Sequence, residues 1–299
     1  MHICALITLF KPDKEKLKSN LNQISLYAEK VYLLVNDNAF DIDLSNFAHI
    51  TIITNGKNIG LSAAFNIALK QAYRENFDEA VLFDQDSFLS NDNFKTMHKE
   101  FIELKESYPV MCIGSSLNVH GNILSTPRWT LTKKISLEKV FSVKNIITSG
   151  MILSIKAALE IKGFEESLPV DFCDFFFCYK ATYNGYLVLK SRDSFLEHEI
   201  GSSSMKIGKS TIHFHSPYRN YFLVRDTLRI AFCFKETPFL IRVRYLFFLF
   251  PRMILFLIKC DKKEERLRMY WLGFKDFFQK NYGFGSIAKL LNAERDDHE

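Results

Sequence analysis

Short apolar strands alternate with amphipathic helices through residues 3–84, and this pattern most limits what the chain can fold into. Strands separated by helices indicate a parallel sheet, because each crossover returns the chain to the same edge. We therefore predict an α/β fold with a doubly wound, mostly parallel sheet flanked by helices. The predicted strands are Ile3–Phe10, Val31–Val35, Ile50–Thr54 and Ala80–Phe83, and the predicted helices are Lys14–Ala28 and Leu61–Tyr73.

Polar residues gather where these predicted strands end. They are Thr8, Asn36 to Asn38, Asn55 to Asn58, and Asp84 to Ser87. Ligands of doubly wound sheets bind at the carboxyl ends of the strands. The sequence therefore predicts a binding site at this edge.

Asp84 and Asp86 are the most informative pair at this edge. Residues two apart on a strand point to the same side, so both carboxylates would meet at one point if the strand continued that far. A divalent cation such as Mg²⁺ or Mn²⁺ would relieve their repulsion. The alternative is that the pair only begins a turn or caps a helix. Their position after a buried strand favours the cation.

Beyond Asp86 the alternation weakens. Residues 116–143 are polar and predicted to be irregular, and a strand is expected after Thr148-Ser149-Gly150. A helix is predicted over Phe175–Tyr183, with Asp174 as its N-cap and Asn184-Gly185 at its end.

The C-terminal region is apolar and aromatic, with arginine and lysine interspersed over Thr237–Cys260. Its uncharged runs are shorter than the roughly 20 residues that a membrane-spanning helix needs. An interfacial membrane helix is one interpretation, and a core helix packed on the domain is the other. We expect two parts: residues 1–230, divided into 1–90 and 91–230, and a helical region 231–299.

Composition excludes some classes of function. The net charge of +5 is small and gives no case for nucleic-acid binding. The six cysteines form no CxxC pair and no zinc-like spacing, so we interpret them as reduced residues of a cytosolic protein.

Several blocks, in order, resemble the inverting family 2 glycosyltransferases of the GT-A fold, in their bacterial rhamnosyltransferase-like branch. The blocks span most of residues 3–225. They are Thr8 to Pro12, Asn58 to Ser62 with Asn66, Asp84 to Ser87, Thr148 to Gly150, Gly163 to Glu166, Asp171 to Asp174, His198 to Gly201 and His215 to Asn220. The resemblance implies the GT-A, Rossmann-like form of the predicted sheet.

The resemblance implies a nucleotide site at Thr8, Phe10, Asn58, Gly60, Asp84 and the loop Asn36-Asp37-Asn38. Similar proteins usually have Val-Asp-Asn after the second strand, whereas this chain has Val35-Asn36-Asp37. Either Asn36 replaces the base-contacting aspartate or Asp37 takes over with a shift of one residue. Thymine and uracil both stay open as the base.

The resemblance also implies catalytic roles. Asp84 and Asp86 would hold Mg²⁺ or Mn²⁺ with the diphosphate, and His198, which read alone resembles a surface residue, would complete the metal site. Asp174 would be the catalytic base. The glutamate that relatives carry two positions later is Phe176 here, which is expected to alter the acceptor pocket.

The remaining implied sites lie along the second half of the chain. His215 and Arg219, with Arg225 beyond them, would bind the diphosphate unless they form a solvated basic face. Ser149, Gly150 and Asp171 would bind the acceptor or the sugar.

The expected function is transfer of a sugar, L-rhamnose from dTDP-rhamnose, to a lipid-linked saccharide of a cell-surface polysaccharide such as O-antigen or capsule. The expected location is cytoplasmic, peripheral at the inner face of the membrane. Two alternatives stay open: a UDP-hexose or UDP-furanose donor on the same fold, and a degenerate nucleotide-binding subunit. The sequence does not predict an oligomeric state.

Overall fold

The computed structural model describes residues 2–37, 40–119, 122–123, 131–136, 139–197, 204–207, 210–213 and 216–288. The chain divides into two compact units, Met1–Glu165 with Asp174–Ile200, and Glu166–Cys173 with Gly201–Glu299. The predicted boundary after residue 230 lies inside a helix, Pro217–Phe232, so the second unit begins earlier along the chain than expected.

A central sheet organises the first unit. Its strands are β1 (Ile3–Leu9), β2 (Lys30–Val35), β3 (Ile50–Thr54), β4 (Glu79–Asp84), β5 (Val110–Val119), β6 (Asn122–Ile123), β7 (Leu131–Ser136), β8 (Val140–Val143), β9 (Met151–Ser154) and β10 (Leu187–Glu197). Along the sheet the order is β3-β2-β1-β4-β9-β5-β10-β8-β7, with β6 paired to β5.

The parallel part of the sheet is β3-β2-β1-β4, as the sequence predicts. The remainder differs from the prediction of a mostly parallel sheet. β9 pairs antiparallel with both β4 and β5, and β8 pairs antiparallel with β10 and β7, whereas β5 and β10 are parallel. The sheet is therefore mixed, and the segment 116–143 that was expected to be irregular supplies three of its strands and the end of a fourth.

Helices cover this sheet. They are α1 (Lys14–Ile24), α2 (Leu61–Arg74), α3 (Asn91–Ser107), α4 (Ile155–Glu160) and α5 (Cys173–Tyr183). Two hydrophobic clusters form because β-strand side chains alternate between faces: Ala5, Ile7 and Val81 point to one cluster, and Leu6 and Leu82 to the other. The prediction of an α/β core with flanking helices is confirmed.

The second unit is mainly helical. It contains the antiparallel pair β11 (Ser204–Ile207) and β12 (Ser210–His213), followed by α6 (Pro217–Phe232), α7 (Phe239–Lys259) and α8 (Lys263–Phe278). Helix α6 is buried along almost its whole length, and α7 and α8 pack against it. Among the helices of the described residues, none is long and apolar enough to cross a membrane.

Candidate active site

Thr8 and Asp84 lie side by side at the carboxyl edge of the parallel strands. They are register partners in the β1–β4 ladder, one residue from the end of β1 and at the last residue of β4. Thr8 is buried and Asp84 is half-buried. The edge that the sequence predicted as a binding site therefore brings these two residues together.

Ser149 reaches the same point from a distant part of the chain. Its hydroxyl donates a hydrogen bond of 2.5 Å to Oδ2 of Asp84. Gly150, which follows it, has a φ of +75° and donates its N–H to the carbonyl of Leu82 in β4 at 2.8 Å. Glycine suits this left-handed turn because it has no Cβ. The turn before β9 thus fixes a hydroxyl on the first aspartate of the pair.

Asp86 is placed differently from the prediction. Strand β4 ends at Asp84, and the N–H and hydroxyl of Ser87 both donate to the carbonyl of Asp84, which closes a turn. Asp86 is half-buried inside this turn. Strand β4 therefore ends before Asp86, so the condition under which strand alternation would aim both carboxylates at one point is not met.

Gln85, between the two aspartates, was missed by sequence reasoning. Its Oε1 accepts a hydrogen bond of 2.8 Å from the N–H of Phe10, and its carbonyl accepts one from Nδ2 of Asn20. Asn20 is buried on α1, so this amide ties the helix to the loop after β4. The available signal in the sequence was Asn20, a polar residue that falls beside the helically spaced apolar positions Leu17 and Leu21.

Asn36 holds a neighbouring loop rather than standing open to a ligand. It is buried, and its Oδ1 accepts from the N–H of Ile59 at 3.4 Å while its Nδ2 lies 3.5 Å from the carbonyl of Gly60. Oδ1 of Asn58 accepts from the N–H of Gly60 at 2.9 Å, ahead of α2. Asp37 is half-buried directly after Asn36, and Asn38 lies outside the described residues.

Two carboxylates two residues apart fit a hard divalent cation, since Mg²⁺ and Mn²⁺ prefer oxygen ligands and keep several positions for phosphate or water. The hydroxyl of Ser149 orients the carboxylate of Asp84. Within the described ranges, no group of three or more histidine, cysteine, aspartate or glutamate residues is arranged to hold a metal. His198 lies outside those ranges.

Asp174 lies in the first turn of α5, not at its N-cap as predicted, because the helix begins at Cys173. Its Oδ1 accepts a hydrogen bond of 2.7 Å from the N–H of Phe175, and the residue is half-buried. Phe176 is almost fully buried. The aromatic replacement at this position therefore lies in the interior, and its effect on the acceptor pocket stays a prediction.

Asn66, one of the resemblance residues, has a structural role. Its side-chain amide bonds both backbone groups of Phe164, accepting from the N–H at 2.8 Å and donating to the carbonyl at 2.9 Å. Gly163 precedes this contact with a φ of +60°. Asn66 thus clamps α2 to the loop after α4.

In the second unit, Asp171 and Arg219 form an ion pair between Oδ1 and Nη2. The structure therefore joins a residue predicted to bind the acceptor or sugar to one predicted to bind the diphosphate. His215 lies outside the described residues.

Arg225 neither binds an open site nor forms a solvated face. It is fully buried, and its Nε donates to Oδ1 of Asp226 at 2.8 Å. Burial raises the pKa of Asp226 to about 6, although the guanidinium beside it acts in the opposite direction. This pair belongs to the interior of the second unit, so the expectation for Arg225 is wrong.

Solved structures share this arrangement of elements. A structure of S. aureus TarS with UDP-GlcNAc has a TM-score of 0.61 at 16% identity, over 93% of this chain and 81% of that one. A structure of GalNAc-T7 with UDP, GalNAc and Mn²⁺ has a TM-score of 0.54 at 10% identity, over 86% of this chain and 57% of that one, little more than half its length. The fold is that of these glycosyltransferases.

A relative is similar in sequence over nearly the whole chain. The dTDP-rhamnosyl transferase RfbF of Shigella flexneri is 26% identical in an alignment 297 residues long, which covers 92% of this chain and 95% of that protein. No protein-family model matches the chain.

Proposed function

We propose that the chain is an inverting glycosyltransferase that transfers L-rhamnose from dTDP-rhamnose to a lipid-linked saccharide acceptor of a cell-surface polysaccharide. The observation that carries the proposal is the hydrogen bond from Ser149 to Asp84 at the carboxyl edge of the parallel strands. It orients a carboxylate at the edge where open α/β sheets bind their ligands, which supports the proposal. Similarity to a dTDP-rhamnosyl transferase along almost the full chain supports the choice of donor.

Asp37 is the residue that we assign to the base of the nucleotide. The amide of Asn36 is already bonded to the loop at residues 59–60. Thymine and uracil both present an imide N–H, and a carboxylate accepts a hydrogen bond from such a donor. The one-residue shift from Asn36 to Asp37 would therefore keep the contact, and Phe10 and Thr8 lie on the adjacent strand end.

Asp84 and Asp86 would hold Mg²⁺ or Mn²⁺, with the donor diphosphate. A divalent cation there supplies charge neutralisation for the departing nucleoside diphosphate. The residues of the chain prepare this position. Ser149 orients the carboxylate of Asp84, and the turn closed by Ser87 determines the position of Asp86.

Asp174 would act as the general base. The acceptor hydroxyl attacks C1 of the sugar from the face opposite the diphosphate, a new C1–O bond forms as the C1–O bond to phosphate breaks, and the hydroxyl proton passes to the carboxylate. The attack inverts the configuration at C1. The hydrogen bond from the N–H of Phe175 holds one oxygen of this carboxylate at the start of α5.

We propose that Asp171 binds the acceptor or the sugar and that Arg219 binds the diphosphate. Arginine pairs carboxylates and phosphates through the same planar fork, so a phosphate can compete with Asp171 for Arg219. We place the enzyme in the cytoplasm at the inner face of the membrane, where a lipid-linked acceptor would present its saccharide.

Turnover with defined nucleotide sugars tests the proposal. The purified full chain is incubated with Mn²⁺, a lipid-linked acceptor and, in turn, dTDP-rhamnose or UDP-hexoses, and nucleoside diphosphate release is measured with the product anomer. We expect release with dTDP-rhamnose and an inverted linkage. Release only with UDP sugars would establish the other donor class. Metal-dependent nucleotide binding with no transfer to any acceptor would point to a degenerate subunit.

A further inference from the structure

Helix α7 turns an apolar stripe toward solvent. Six of its exposed apolar residues recur every three or four positions, which places them along one side of the helix. Phe247 is 71% exposed at the middle of this stripe. Helices of water-soluble domains bury such a stripe, so this one is the reverse of the usual arrangement. The stripe consists of Leu240, Val243, Phe247, Phe250, Ile254 and Ile258.

The other side of α7 is already covered by its own unit. Leu249 and Phe256 are buried in a cluster with Val224 and Leu228 of α6 and Tyr270 of α8. Helix α7 is therefore packed against α6 and α8 of its own unit. Only one face is open to a partner.

Helix α8 extends the apolar surface. Leu267, Trp271 and Phe278 are exposed on it, and Trp271 is 61% exposed. The rings of Phe250 and Phe274 stack with centroids 6.3 Å apart, which joins the two helices. We call the exposed apolar residues of both helices the α7–α8 surface.

Basic side chains accompany this surface. Helix α7 contains Arg242, Arg244, Arg252 and Lys259 and no acidic residue. Arg244 and Lys259 are exposed. The guanidinium of Arg244 lies 4.9 Å from the ring centroid of Phe248, and Nζ of Lys275 lies 5.3 Å from that of Trp271. Long cationic side chains beside exposed aromatic rings suit the boundary between headgroups and acyl chains.

We propose that the α7–α8 surface docks on a bilayer containing anionic lipids, with α7 lying in the plane of the membrane. Apolar side chains would enter the acyl boundary, and the arginines and lysines would meet the headgroup phosphates. The proposal rests on the proposed function only for the identity of the membrane, because vesicle binding needs no sugar donor.

Charge argues against a second copy of the chain as the occupant. Two copies of the α7–α8 surface face to face would bring together an excess of cations, because α7 has no acidic residue and the exposed Lys263, Arg268 and Lys275 of α8 outnumber the acidic Glu264 and Glu265 of its first turn. An anionic bilayer supplies the opposite charge and an apolar interior at once.

Vesicle sedimentation tests the proposal. The full chain, without nucleotide, is mixed with vesicles of phosphatidylcholine alone or of equimolar phosphatidylcholine and phosphatidylglycerol. We expect it to sediment with the mixed vesicles and to bind at least tenfold more weakly to the neutral ones or at high salt. The double variant Phe247→Glu with Ile254→Glu should bind mixed vesicles at least tenfold more weakly.

The matched control is Leu26→Glu with Tyr73→Glu, which places the same charges at exposed apolar positions of the first unit. It should bind like the parent chain. A second readout uses Trp271: brominated lipids should quench its fluorescence, and Trp271→Phe should remove that quenching. Quenching of Trp271 still tests docking if the double variant Phe247→Glu with Ile254→Glu fails to fold.

Equal binding by the Phe247 variant and the parent chain would overturn the proposal. So would a parent chain that stays in the supernatant, or one that is dimeric in solution while the variant is monomeric. Nucleotide hydrolysis or transfer to a soluble acceptor is measured separately. A chain that turns over donor without binding vesicles refutes docking alone, and a chain that binds vesicles without turnover refutes only the proposed function.

Discussion

The hydroxyl of Ser149 donates a 2.5 Å hydrogen bond to Oδ2 of Asp84, across 65 residues of sequence. The contact joins the turn before β9 to the end of β4. It orients the carboxylate that we assign to the diphosphate and its cation.

Replacing Ser149 by alanine tests this contact. A hydrogen bond to a charged group is worth roughly 1.5–3 kcal/mol, so we expect kcat/KM to fall by about tenfold or more and the Mn²⁺ requirement to increase. Ser154→Ala is the control, because that buried serine at the end of β9 makes no capping hydrogen bond with its side chain. Unchanged kinetics in Ser149→Ala would remove the role assigned to this hydroxyl.

Asp174→Asn tests the general base. Loss of general-base catalysis costs about a hundredfold or more in kcat, and the KM for the donor should change little because the carboxylate acts on the acceptor. Asp92→Asn is matched, since Asp92 is also the acidic residue in the first turn of a helix. If the Asp174→Asn enzyme kept the kcat of the parent chain, Asp174 would not be the general base.

Asp37→Asn separates the two candidates for the base contact. It should increase the donor KM about tenfold and weaken dTDP binding in calorimetry, because a charged acceptor is lost. Asn36→Ala should instead lower the unfolding temperature, since Asn36 bonds the loop at Ile59 and Gly60. Asp41→Asn, at an exposed position, is the control. Normal nucleotide affinity in Asp37→Asn would reject the assignment of the base contact to Asp37.

Gly163→Ala tests the clamp made by Asn66. A Cβ at this position would overlap Oδ1 of Asn66, and its φ of +60° disfavours alanine. We expect a loss of about 3 kcal/mol in the free energy of unfolding. Gly185→Ala, with a φ of +88° and no atom within 4 Å of the added Cβ, should cost only about 1 kcal/mol in urea titrations. Equal losses would show that the overlap relaxes.

Acid stability depends on Glu75. Lys30 lies 2.6 Å from its carboxylate, and this contact, with those from Gln71 and Tyr32, lowers its pKa to about 2. A depressed pKa stabilises the folded state above the unfolded pKa near 4.5, and this stability is lost as pH falls toward 2. Glu75→Gln should remove about 1 kcal/mol at pH 7, after solvent screening, and much less at pH 2. Glu15→Gln, which removes an exposed carboxylate of α1, is the control.

Short-range patterns predicted much of the first unit. Strands β1 to β4 match their apolar runs within one or two residues, and so do the helix starts at Lys14 and Leu61. Strands β7 and β8 were missed because the segment 116–143 lacks long apolar runs. They form by antiparallel pairing, β8 with β10 and β7 with β8.

Long-range pairing decided the rest. Residue types and spacing determined which positions are apolar, where chains turn and which carboxylates follow β4, because periodicity and backbone preference act over a few residues. Only the tertiary structure decided that β9 inserts between β4 and β5, that Ser149 meets Asp84 and that Arg219 meets Asp171. These contacts join segments far apart in the chain, and their free energy depends on packing and burial that no local pattern encodes.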